Sequence, residues 1–549
     1  MIYIKKIRPV VLALFFIFFY ALNSFAQKSP LSSGTWHKIS IIEDGIYNLT
    51  PLLIEQFGDG IELNKIQLYG NGKGMLSEVI AEADKSILTE IPLLEIDKNQ
   101  NGLLDGNDQV LFFGLGPHQW NYDSTNQDFT HEYNIYRNEN FYFFTHGLKN
   151  GKRLQNVGNG AQLNPTRKIH KHKFLVFHEQ DEVNVAKSGR MWVGDEINSN
   201  RPKIFTFDIN NLVKEDTIFF RSKIWVRSLV ESSYSLKING LTKSQKMVYK
   251  IPGSKDNIQA QINTENHSFK SKDNQIEVSY TYSIPDIASR AWIDYIELVA
   301  SRNNILTAEQ EVFLFPTKTN SEDITISFQN LANEDVNVWD ITDFNSPKVQ
   351  SFLNGTFDFN VSNTKPLRKY ISFSNPRQAE YVGKIENQNL ISISATDYLM
   401  IYHPNFKTET ERLAEFHRNQ YAYDVKCINI FNIYNEFSSG GQDVVAIRNF
   451  IKSVYDKGAA EAKPLRYVLF MGDASYDFKE RLDGNTNFVP SYQSINSIDP
   501  IASYPSDDFF AILEDDEGYW GFQNVAESLD IGVGRFPVKT AIEAKTVVD

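Results

Sequence analysis

Hydrophobic positions follow two different patterns along the chain, and the change falls near residue 395. Between residues 30 and 395, short apolar or alternating runs recur between polar turn signals. In the segment 217–226, aromatic and β-branched residues mix with polar ones, as in strands that bury one face. Strands of this kind are predicted at 36–42, 67–69, 110–113, 141–145, 204–207, 217–226, 276–282, 292–299, 324–328 and 370–373. Many short strands without a helical period predict sandwich-like or barrel-like β modules.

After residue 395, the pattern predicts strands that alternate with helices. Compact apolar strands are predicted at 397–402, 424–430, 466–471 and 530–533, and helical spacing at 409–420, 442–457 and 540–548. Gly458 is expected to end the second of these helices. The alternation predicts βαβ units and a mostly parallel sheet that is buried on both faces. Ligand-binding and catalytic groups of such sheets lie at the carboxyl ends of the strands.

The N-terminal residues 1–26 have the layout of a secretory signal peptide. Lys5, Lys6 and Arg8 precede an apolar run, and Ser24 and Ala26 are the small residues of a cleavage site before residue 27. The alternative, a single anchoring helix, is disfavoured because the run is shorter than the ~20 residues of a membrane span. We therefore expect an exported protein that is soluble or peripheral, with no intrachain disulfide because the chain has one cysteine.

The predicted elements divide the mature chain into three parts. A β-rich domain is expected at 27–200, a sandwich-like domain at 201–394, and an α/β domain from 395 to 549. The chain stops inside a predicted helix without a cap, so we expect the α/β domain to continue beyond Asp549. The formal net charge of −13 argues against nucleic acid as a partner, because an acidic surface repels phosphates.

A calcium-like loop stands out at 97–108. Its spacing is D-x-N-x-N-G with further carboxylates at loop positions 9 and 12, and Gly102 supplies the sharp turn. The predicted Ca²⁺ ligands are the side chains of Asp97, Asn99, Asn101, Asp105 and Asp108 and the carbonyl of Leu103. Asp108 stands where an EF-hand has glutamate, and no helical pattern clearly flanks the loop. The alternative is a polar turn without a metal.

Two further groups of carboxylates lie in the α/β region. Gly472 and Asp473 directly follow the predicted strand 466–471, where a turn places carboxylates at the sheet edge; the alternative is an ordinary turn that caps a helix. Asp507 and Asp508 precede two phenylalanines and an acidic run at 514–517. Such carboxylates suit a basic side chain, a metal or acid–base chemistry, and the alternative is a solvated acidic loop.

Candidates for a nucleophile are poor. Cys427 lies inside a predicted strand, where a small buried sulfur is the usual occupant. His403 follows a strand but precedes a proline, and His417 lies on a predicted helix with its side chain expected at the surface. The chain has no Gly-x-Ser-x-Gly, His-Glu-x-x-His or phosphate-loop motif. We therefore predict no catalytic residue in this chain.

Five segments in order resemble the gingipain-type cysteine peptidases. They are 434–440 (YNEFSSG), 446–450 (AIRNF), 467–477 (YVLFMGDASYD), 505–510 (PSDDFF) and 530–538 (DIGVGRFPV). The set looks most like the members of that family that act as sortases of the type IX secretion system of Bacteroidetes. The resemblance covers about residues 395–549 strongly and the β-rich part, including 31–36 and the calcium-like loop, more weakly.

The resemblance implies a caspase-like α/β fold and a Cys–His dyad. The family's His and Cys would follow the helix that begins near Thr540, so we expect them beyond Asp549. Asp507 lines up with the family's pocket carboxylate, with Phe510 in place of a tyrosine, and is therefore expected to bind substrate. The family's sortases remove C-terminal sorting domains from cargo proteins and support attachment of the cargo to surface lipopolysaccharide.

The resemblance further implies a peripheral location at the outer face of the outer membrane, with cargo proteins and outer-membrane secretion proteins as partners. A second hypothesis remains open. The chain would then be a non-catalytic envelope adhesion or binding protein, with adhesive β modules and a degenerate peptidase-like domain. The gene sequence past codon 549 discriminates between the two: Gly-His-Gly followed by a cysteine favours the peptidase.

Overall fold

The computed structural model describes residues 28–549 except 73, 83–87, 198–200, 318–321, 333–334 and 519–527. The predicted signal peptide therefore lies outside the described residues. Within them, no helix has both the length and the apolar character needed to cross a bilayer. The described part is β-rich up to about residue 385 and then changes to an α/β architecture, which confirms the predicted fold class.

The N-terminal module is a sandwich of two sheets. One sheet has the order β29-β1-β9-β3-β4 and the other β28-β2-β6-β5. The elements up to residue 157 are β1 (Trp36–Ile41), β2 (Gly45–Asn48), helix α1 (Thr50–Phe57), β3 (Ile66–Gly70), β4 (Thr89–Ile91), β5 (Leu94–Ile96), β6 (Gln109–Gly114), β7 (Gln119–Asp123), β8 (Asp128–Glu132), β9 (Asn140–His146) and β10 (Gln155–Val157). Inward-facing residues such as Ile39, Leu68, Phe112 and Phe144 form one buried core between the sheets.

The second β region is built on a long sheet with the order β10-β25-β24-β27-β21-β12-β19-β14-β17. Smaller sheets, β13-β18-β15-β16 and β11-β22-β26, pack on it through two apolar cores. The strands are β11 (Arg167–Ile169), β12 (Lys171–Glu179), β13 (Lys203–Asp208), β14 (Ile218–Arg227), β15 (Ser232–Ile238), β16 (Leu241–Val248), β17 (Gln261–Phe269), β18 (Gln275–Ser283), β19 (Arg290–Asn303), β20 (Ile305–Leu306), β21 (Glu311–Pro316), β22 (Asp323–Ser327), β23 (Gln329–Asn330), β24 (Asn337–Asp340), β25 (Lys348–Gln350), β26 (Asp358–Ser362), β27 (Leu367–Phe373), β28 (Arg377–Gln378) and β29 (Glu380–Ile385).

Sheet pairing links segments that are far apart in the chain. β12 precedes residue 200 but pairs along its whole length with β19. β29 returns to the N-terminal sandwich and pairs with β1 in an antiparallel register. The border expected at 200 therefore falls between paired strands of one sheet, and the N-terminal sandwich includes residues from beyond 375.

The C-terminal region contains a four-stranded parallel sheet with the order β31-β30-β32-β35. Its elements are β30 (Tyr398–Tyr402), α2 (Lys407–Tyr421), β31 (Val425–Asn429), α3 (Ile430–Phe437), α4 (Val444–Ala460), β32 (Tyr467–Met471), the short strands β33 (Tyr492–Gln493) and β34 (Pro505–Ser506), β35 (Gly532–Phe536) and α5 (Ala541–Val548). The apolar faces of α3 and α4 cover one side of the sheet. The predicted mostly parallel sheet is thereby confirmed.

Two predicted boundaries are wrong, and two helices, α1 and α3, were not predicted. Helix α4 continues through Gly458 to Ala460, and Gly458 admits a close return of the chain, since a Cβ there would lie 2.6 Å from the Lys463 carbonyl oxygen. The last strand begins at Gly532 rather than 530, because Asp530 hydrogen-bonds to the backbone of Ala511 and Leu513 instead. Helix α1 lies in a region where no helix was predicted.

The family-like segment 434–440 contacts the N-terminal sandwich. Lys38 on β1 donates a hydrogen bond from Nζ to the Gly440 carbonyl at 2.7 Å, and its ammonium lies 4.1 Å from the centre of the Phe141 ring. Ser439 donates to the Phe141 carbonyl at 3.1 Å. Residues of this motif thus join the α/β region to the β-rich half.

Candidate functional site

An open crevice lies at the carboxyl edge of the parallel sheet, where strand ends are expected to carry functional groups. Its volume is about 650 Å³. The lining residues come from the loop after β32, the β33–β34 hairpin, β35 and a segment of the β-rich half: Lys187, Ser188, Asp473, Ala474, Ser475, Tyr476, Leu482, Asp483, Gly484, Asn485, Thr486, Ser491, Gln493, Pro505, Ser506, Asp507, Arg535 and Lys539. Two of the predicted carboxylate groups, those of Asp473 and Asp507, therefore meet in one cleft.

Asp507 lies in the crevice, and both of its carboxylate oxygens are engaged by Arg535. Nε donates to Oδ2 at 2.8 Å and Nη2 donates to Oδ1 at 2.7 Å. Nη1 of the same guanidinium donates to the carbonyls of Gly472 at 2.9 Å and Val489 at 2.6 Å. One arginine thus fastens the end of β32, the following loop and the 505–510 segment to β35, and it neutralises Asp507.

Asp473 begins the loop that follows β32. Gly472 precedes it with φ +145°, and a Cβ there would meet Phe488 at 3.0 Å, so the turn favours glycine. The Asp473 carboxylate accepts a hydrogen bond from the Thr486 hydroxyl at 2.5 Å and lies 3.5 Å from the Lys539 ammonium. Asp473 is thus held at the crevice wall as an anchored, partly compensated charge.

Asp477 is a buried anchor for the 473–491 loop. Its carboxylate accepts from the Leu482 amide at 2.7 Å and from Arg481 at 3.3 Å. Arg481 also pairs with Asp181 of the β-rich half, and its guanidinium lies 4.6 Å from the centre of the Trp192 ring. The loop that forms much of the crevice is therefore fixed against the β-rich half.

The segment around Lys187 supplies a wall of the crevice from outside the α/β region. Gly189 has φ +71°, and a Cβ there would lie 2.2 Å from the Asn496 carbonyl oxygen. The next amides continue the contact: that of Arg190 donates to the Ser494 carbonyl at 3.1 Å and that of Met191 to the Ser497 hydroxyl at 2.8 Å. This close backbone approach places Lys187 and Ser188 beside the family-like residues.

The cysteine and the two histidines flagged in the sequence do not form a dyad. Cys427 packs beside α2, and burial, reinforced by Glu411, raises the pKa of its thiol to about 12. His403 lies among Phe406, Phe431 and Phe488, and burial lowers its pKa. Within the described residues, no hydrogen bond joins the Cys427 thiol to a histidine.

His417 and the acidic run lie away from the crevice. His417 is half-buried among tyrosines, with the Tyr398 ring 5.1 Å from its own, which departs from the surface position expected for it. Glu514 and Asp515 contact helix α4 and do not join Asp507 in the crevice. Tyr455 donates a hydrogen bond to Glu514 at 2.9 Å, and Lys452 forms an ion pair with Asp515 at 2.9 Å.

The calcium-like loop joins β5 to β6 in an antiparallel hairpin, without flanking helices, as expected from the sequence. Asp97 accepts from the Gly102 amide at 2.7 Å through Oδ2, while its Oδ1 is buried and has no hydrogen-bond partner within the described residues. Both oxygens of Asp108 accept backbone amides, those of Lys98 and Asp105, at 2.9 and 2.8 Å. The donor set is rich in the hard oxygens that Ca²⁺ prefers, and the orphaned oxygen of Asp97 fits a cation.

Two elements of the crevice were missed by sequence reasoning. Arg535 lies in a family-like segment but was not predicted to be a site residue. The signal that points to it is an arginine two residues after a predicted strand, in a region with candidate carboxylates. Lys187 and Ser188 carry no local signal, because only the tertiary fold brings their segment to the sheet edge.

Comparisons with known proteins find a family match that contains most residues of this crevice. The family model described as Peptidase family C25 matches residues 392–549, which include the strands, the loop after β32 and Arg535. A search of curated protein sequences gave no significant match. The crystal structure of dimeric latent PorU from Porphyromonas gingivalis is similar with a TM-score of 0.80 and 21% identity, over 95% of this chain and 49% of that chain. The chain thus spans about half the length of that PorU chain.

Two carbohydrate-binding modules also share limited structural likeness. The CBM36-1 domain of a xylanase from the hindgut metagenome of Trinervitermes trinervoides has a TM-score of 0.15 and 14% identity, over 23% of this chain and 95% of that chain. CBM35 from Cellvibrio japonicus Abf62 has a TM-score of 0.15 and 13% identity, over 24% of this chain and 97% of that chain. Scores this low support no functional inference. Residues 392–549 therefore match the model of peptidase family C25, and the chain shares the fold of about half of the latent PorU chain.

Proposed function

We propose that this chain belongs to a cysteine endopeptidase that acts as a sortase of the type IX secretion system and uses the crevice at the carboxyl edge of the parallel sheet to receive cargo. The observation that carries the proposal is the position of the crevice. Its lining includes residues of three segments that resemble gingipain-type peptidases, and all of the lining except Lys187 and Ser188 lies in the region that matches the C25 family model. In open parallel sheets this edge is where substrates bind.

The residues of the crevice suit the recognition of an extended peptide. Asp473, Lys187 and Lys539 offer charges of both signs, while Ser506 and Gln493 offer neutral hydrogen-bonding groups. Asp507 acts through Arg535, because a carboxylate held by two charge-assisted bonds is not available to pair directly with a basic cargo side chain. Asp507 is thus proposed as a specificity residue that fixes the cleft's shape and reduces its positive charge.

The chemistry requires a thiolate beside an imidazole. Cys427 does not supply it, because a thiol with a pKa of about 12 is protonated at neutral pH. We assign the peptide-binding role to the described residues and no catalytic role to any of them.

Export and surface location are part of the same proposal. The signal-peptide pattern supports passage through the inner membrane, and the resemblance supports a peripheral position at the outer face of the outer membrane. Cargo proteins with C-terminal sorting domains, outer-membrane secretion proteins and lipopolysaccharide are the proposed partners.

Calcium is proposed as a structural cofactor of the 97–108 loop. Asp97, Asn99, Asn101, Asp105 and Asp108 would hold the ion together with the Leu103 carbonyl. The ion would neutralise three carboxylates in one hairpin turn and so stabilise the N-terminal sandwich.

The test is cargo processing by the complete secretion-system protein. Purified protein is incubated with a cargo that carries a C-terminal sorting domain, and the products are identified by mass spectrometry. Release of the sorting domain, reduced in Arg535→Gln and unchanged in the surface variant Lys545→Met, supports the proposal. Cargo that is bound but left intact supports the adhesion hypothesis instead.

A further inference from the structure

A second cavity, of about 590 Å³, lies between the N-terminal sandwich and the long sheet, and it shares no lining residue with the crevice. Its volume falls within the range of about 300–1,000 Å³ that is typical of small-molecule sites. Four aromatic side chains line it, those of Phe113, Trp120, Phe174 and Phe344. The cavity therefore has the size and the apolar walls of a ligand site.

Its floor is a row of three residues on adjacent strands. Lys173 on β12 is directly opposite Leu314 on β21, and Leu314 is directly opposite Lys369 on β27. Directly paired residues project to the same face of a sheet, so the two lysines flank an apolar patch with their Cα atoms about 10 Å apart. All three residues line the cavity.

Neither lysine forms an ion pair with a carboxylate within the described residues, although Asp216 acts electrostatically on Lys173 and Asp44 on Lys369. Lys173 donates from Nζ to the Ser301 hydroxyl at 3.2 Å and makes no ion pair within the described residues. Lys369 makes neither a hydrogen bond through Nζ nor an ion pair with any residue that the structure describes. Burial lowers the pKa of both ammonium groups. A desolvated cation without a partner is costly, and a bound anion would remove that cost.

The other charges at the cavity are balanced or peripheral. Arg302 pairs with Glu311 at 2.8 Å and covers one face of the Phe174 ring at 4.4 Å. Asp44 accepts a hydrogen bond from the Gly116 amide at 2.9 Å and interacts electrostatically with Lys369 and Arg377, and Glu309 is exposed. The oxygens of these carboxylates can accept hydrogen bonds from hydroxyl groups of a ligand, but they would repel a second anion.

Three residues of the lining carry neutral polar groups that form no hydrogen bond within the described residues. Within the described residues, the indole N–H of Trp120, the side-chain amide of Asn211 and the hydroxyl of Thr307 form no hydrogen bond. Buried or half-buried polar groups are normally satisfied, by protein, water or ligand. A ring compound with hydroxyl groups would satisfy these three while its apolar face packs on Trp120.

We propose that this cavity binds an anionic sugar, a uronic acid or a sugar phosphate, with the anion between Lys173 and Lys369 and the ring against Trp120. The anion would form ion pairs with the two lysines, and the sugar ring would pack on the aromatic side chains. The hydroxyl groups would form hydrogen bonds with the neutral polar groups of the lining. The site is independent of the proposed peptidase activity, and its test does not measure cleavage.

The experiment is isothermal titration of the purified protein with four probes: glucuronate, glucose 6-phosphate, glucose and acetate. Glucose lacks the anion and acetate lacks the ring. The proposal predicts that both anionic sugars bind with dissociation constants below about 1 mM and at least about tenfold more tightly than glucose or acetate. Equal binding of glucose and glucuronate, equal binding of acetate and glucuronate, or no binding of either anionic sugar would overturn it.

Lys369→Met removes the unpaired ammonium and keeps the length of the side chain. It is expected to weaken glucuronate binding by about tenfold or more, whereas Lys545→Met on the exposed helix α5 leaves it unchanged. Unaltered binding by folded Lys369→Met contradicts the proposal. Should Lys369→Met fail to fold, as judged by circular dichroism, Trp120→Leu replaces it; that variant must weaken glucuronate binding, and unchanged binding also contradicts the proposal.

Discussion

Arg535 and Asp507 form a bidentate ion pair in the crevice, with N–O distances of 2.8 and 2.7 Å. Both side chains are largely buried, with 11% and 21% of their surface exposed. The same arginine holds the Gly472 and Val489 carbonyls, so it ties three segments of the cleft to β35. The shape of the cleft therefore depends on a pair rather than on an isolated carboxylate.

Arg535→Met is expected to lower the free energy of unfolding by about 3 kcal/mol, because it leaves a half-buried carboxylate uncompensated. Asp507→Asn is expected to cost about 1 kcal/mol, because the amide oxygen still accepts a bond from Arg535. Urea denaturation measures both values. As a control, Lys545→Met breaks the exposed pair with Asp549 and should change stability by less than about 1 kcal/mol. Equal losses in all three variants would contradict a structural role for the Arg535 clamp.

Comparing the free energies of unfolding of Gly189→Ala and Gly240→Ala distinguishes the cost of a positive φ from the cost of a close contact. The two glycines have similar φ angles, +71° and +74°, but a Cβ at Gly189 would meet the Asn496 carbonyl oxygen at 2.2 Å, whereas one at Gly240 would have no neighbour within 4 Å. Both variants carry the strain of a positive φ, about 1–2 kcal/mol. Gly189→Ala should cost about 2 kcal/mol more, because the crevice wall must move away.

Limited proteolysis provides the second readout for these glycines. Gly189→Ala is expected to expose the segment around Lys187 to cleavage, while Gly240→Ala is not. Identical stability and identical digestion patterns would show that the wall does not depend on this backbone contact.

Calcium should raise the melting temperature of the protein, and Asp97→Ala should abolish the rise. A ligand present at 100 times its dissociation constant stabilises the folded state by about 2.7 kcal/mol. Asp59→Ala, which removes an exposed carboxylate near the loop, is the matched control and should keep the response. Equal melting temperatures in EDTA and in calcium would count against the site.

Lys38 should make stability depend on pH. Burial, with help from Arg137, lowers its pKa to about 7, although Glu139 opposes the shift. An unfolded lysine has a pKa of about 10.4, so between pH 7 and that value the unfolded chain holds a proton that the folded protein has released. Stability therefore rises with pH across this window. Lys38→Met should flatten the rise in urea titrations between pH 7 and 10; an unchanged slope would contradict the assignment.

The apolar runs at 397–402, 424–430 and 466–471 predicted three strands of the parallel sheet because buried parallel strands are continuously hydrophobic. Helix α3 was not predicted: its eight residues follow β31 directly, and no element was assigned between the strand predicted at 424–430 and the helix predicted at 442–457. The pairing of β29 with β1 and the approach of Gly189 to Asn496 join residues that are hundreds of positions apart. Periodicity reports local structure alone and contains no signal for such contacts.

For the candidate site, too, the sequence predicted local features and missed tertiary contacts. Gly472 and Asp473 were placed at a strand end by a local rule, and the structure puts them there. Asp507 was expected to bind substrate, and its pairing with Arg535 was not predicted because it depends on the tertiary placement of the 505–510 segment beside β35. The segment 434–440 was identified only by its family resemblance, and its contact with Lys38 of the N-terminal sandwich was not predicted.

The most direct test of the central claim, that the crevice recognises cargo, is the kinetics of cargo cleavage by the complete protein carrying Asp507→Asn, compared with Asp483→Asn. Both residues line the crevice, but Asp507 is engaged by Arg535 and Asp483 is exposed. We expect Asp507→Asn to lower kcat/KM by about tenfold, equivalent to about 1.4 kcal/mol, and to change the preferred cleavage site, while Asp483→Asn stays within about twofold of wild type. Unchanged turnover and unchanged cleavage sites in folded Asp507→Asn would contradict the account.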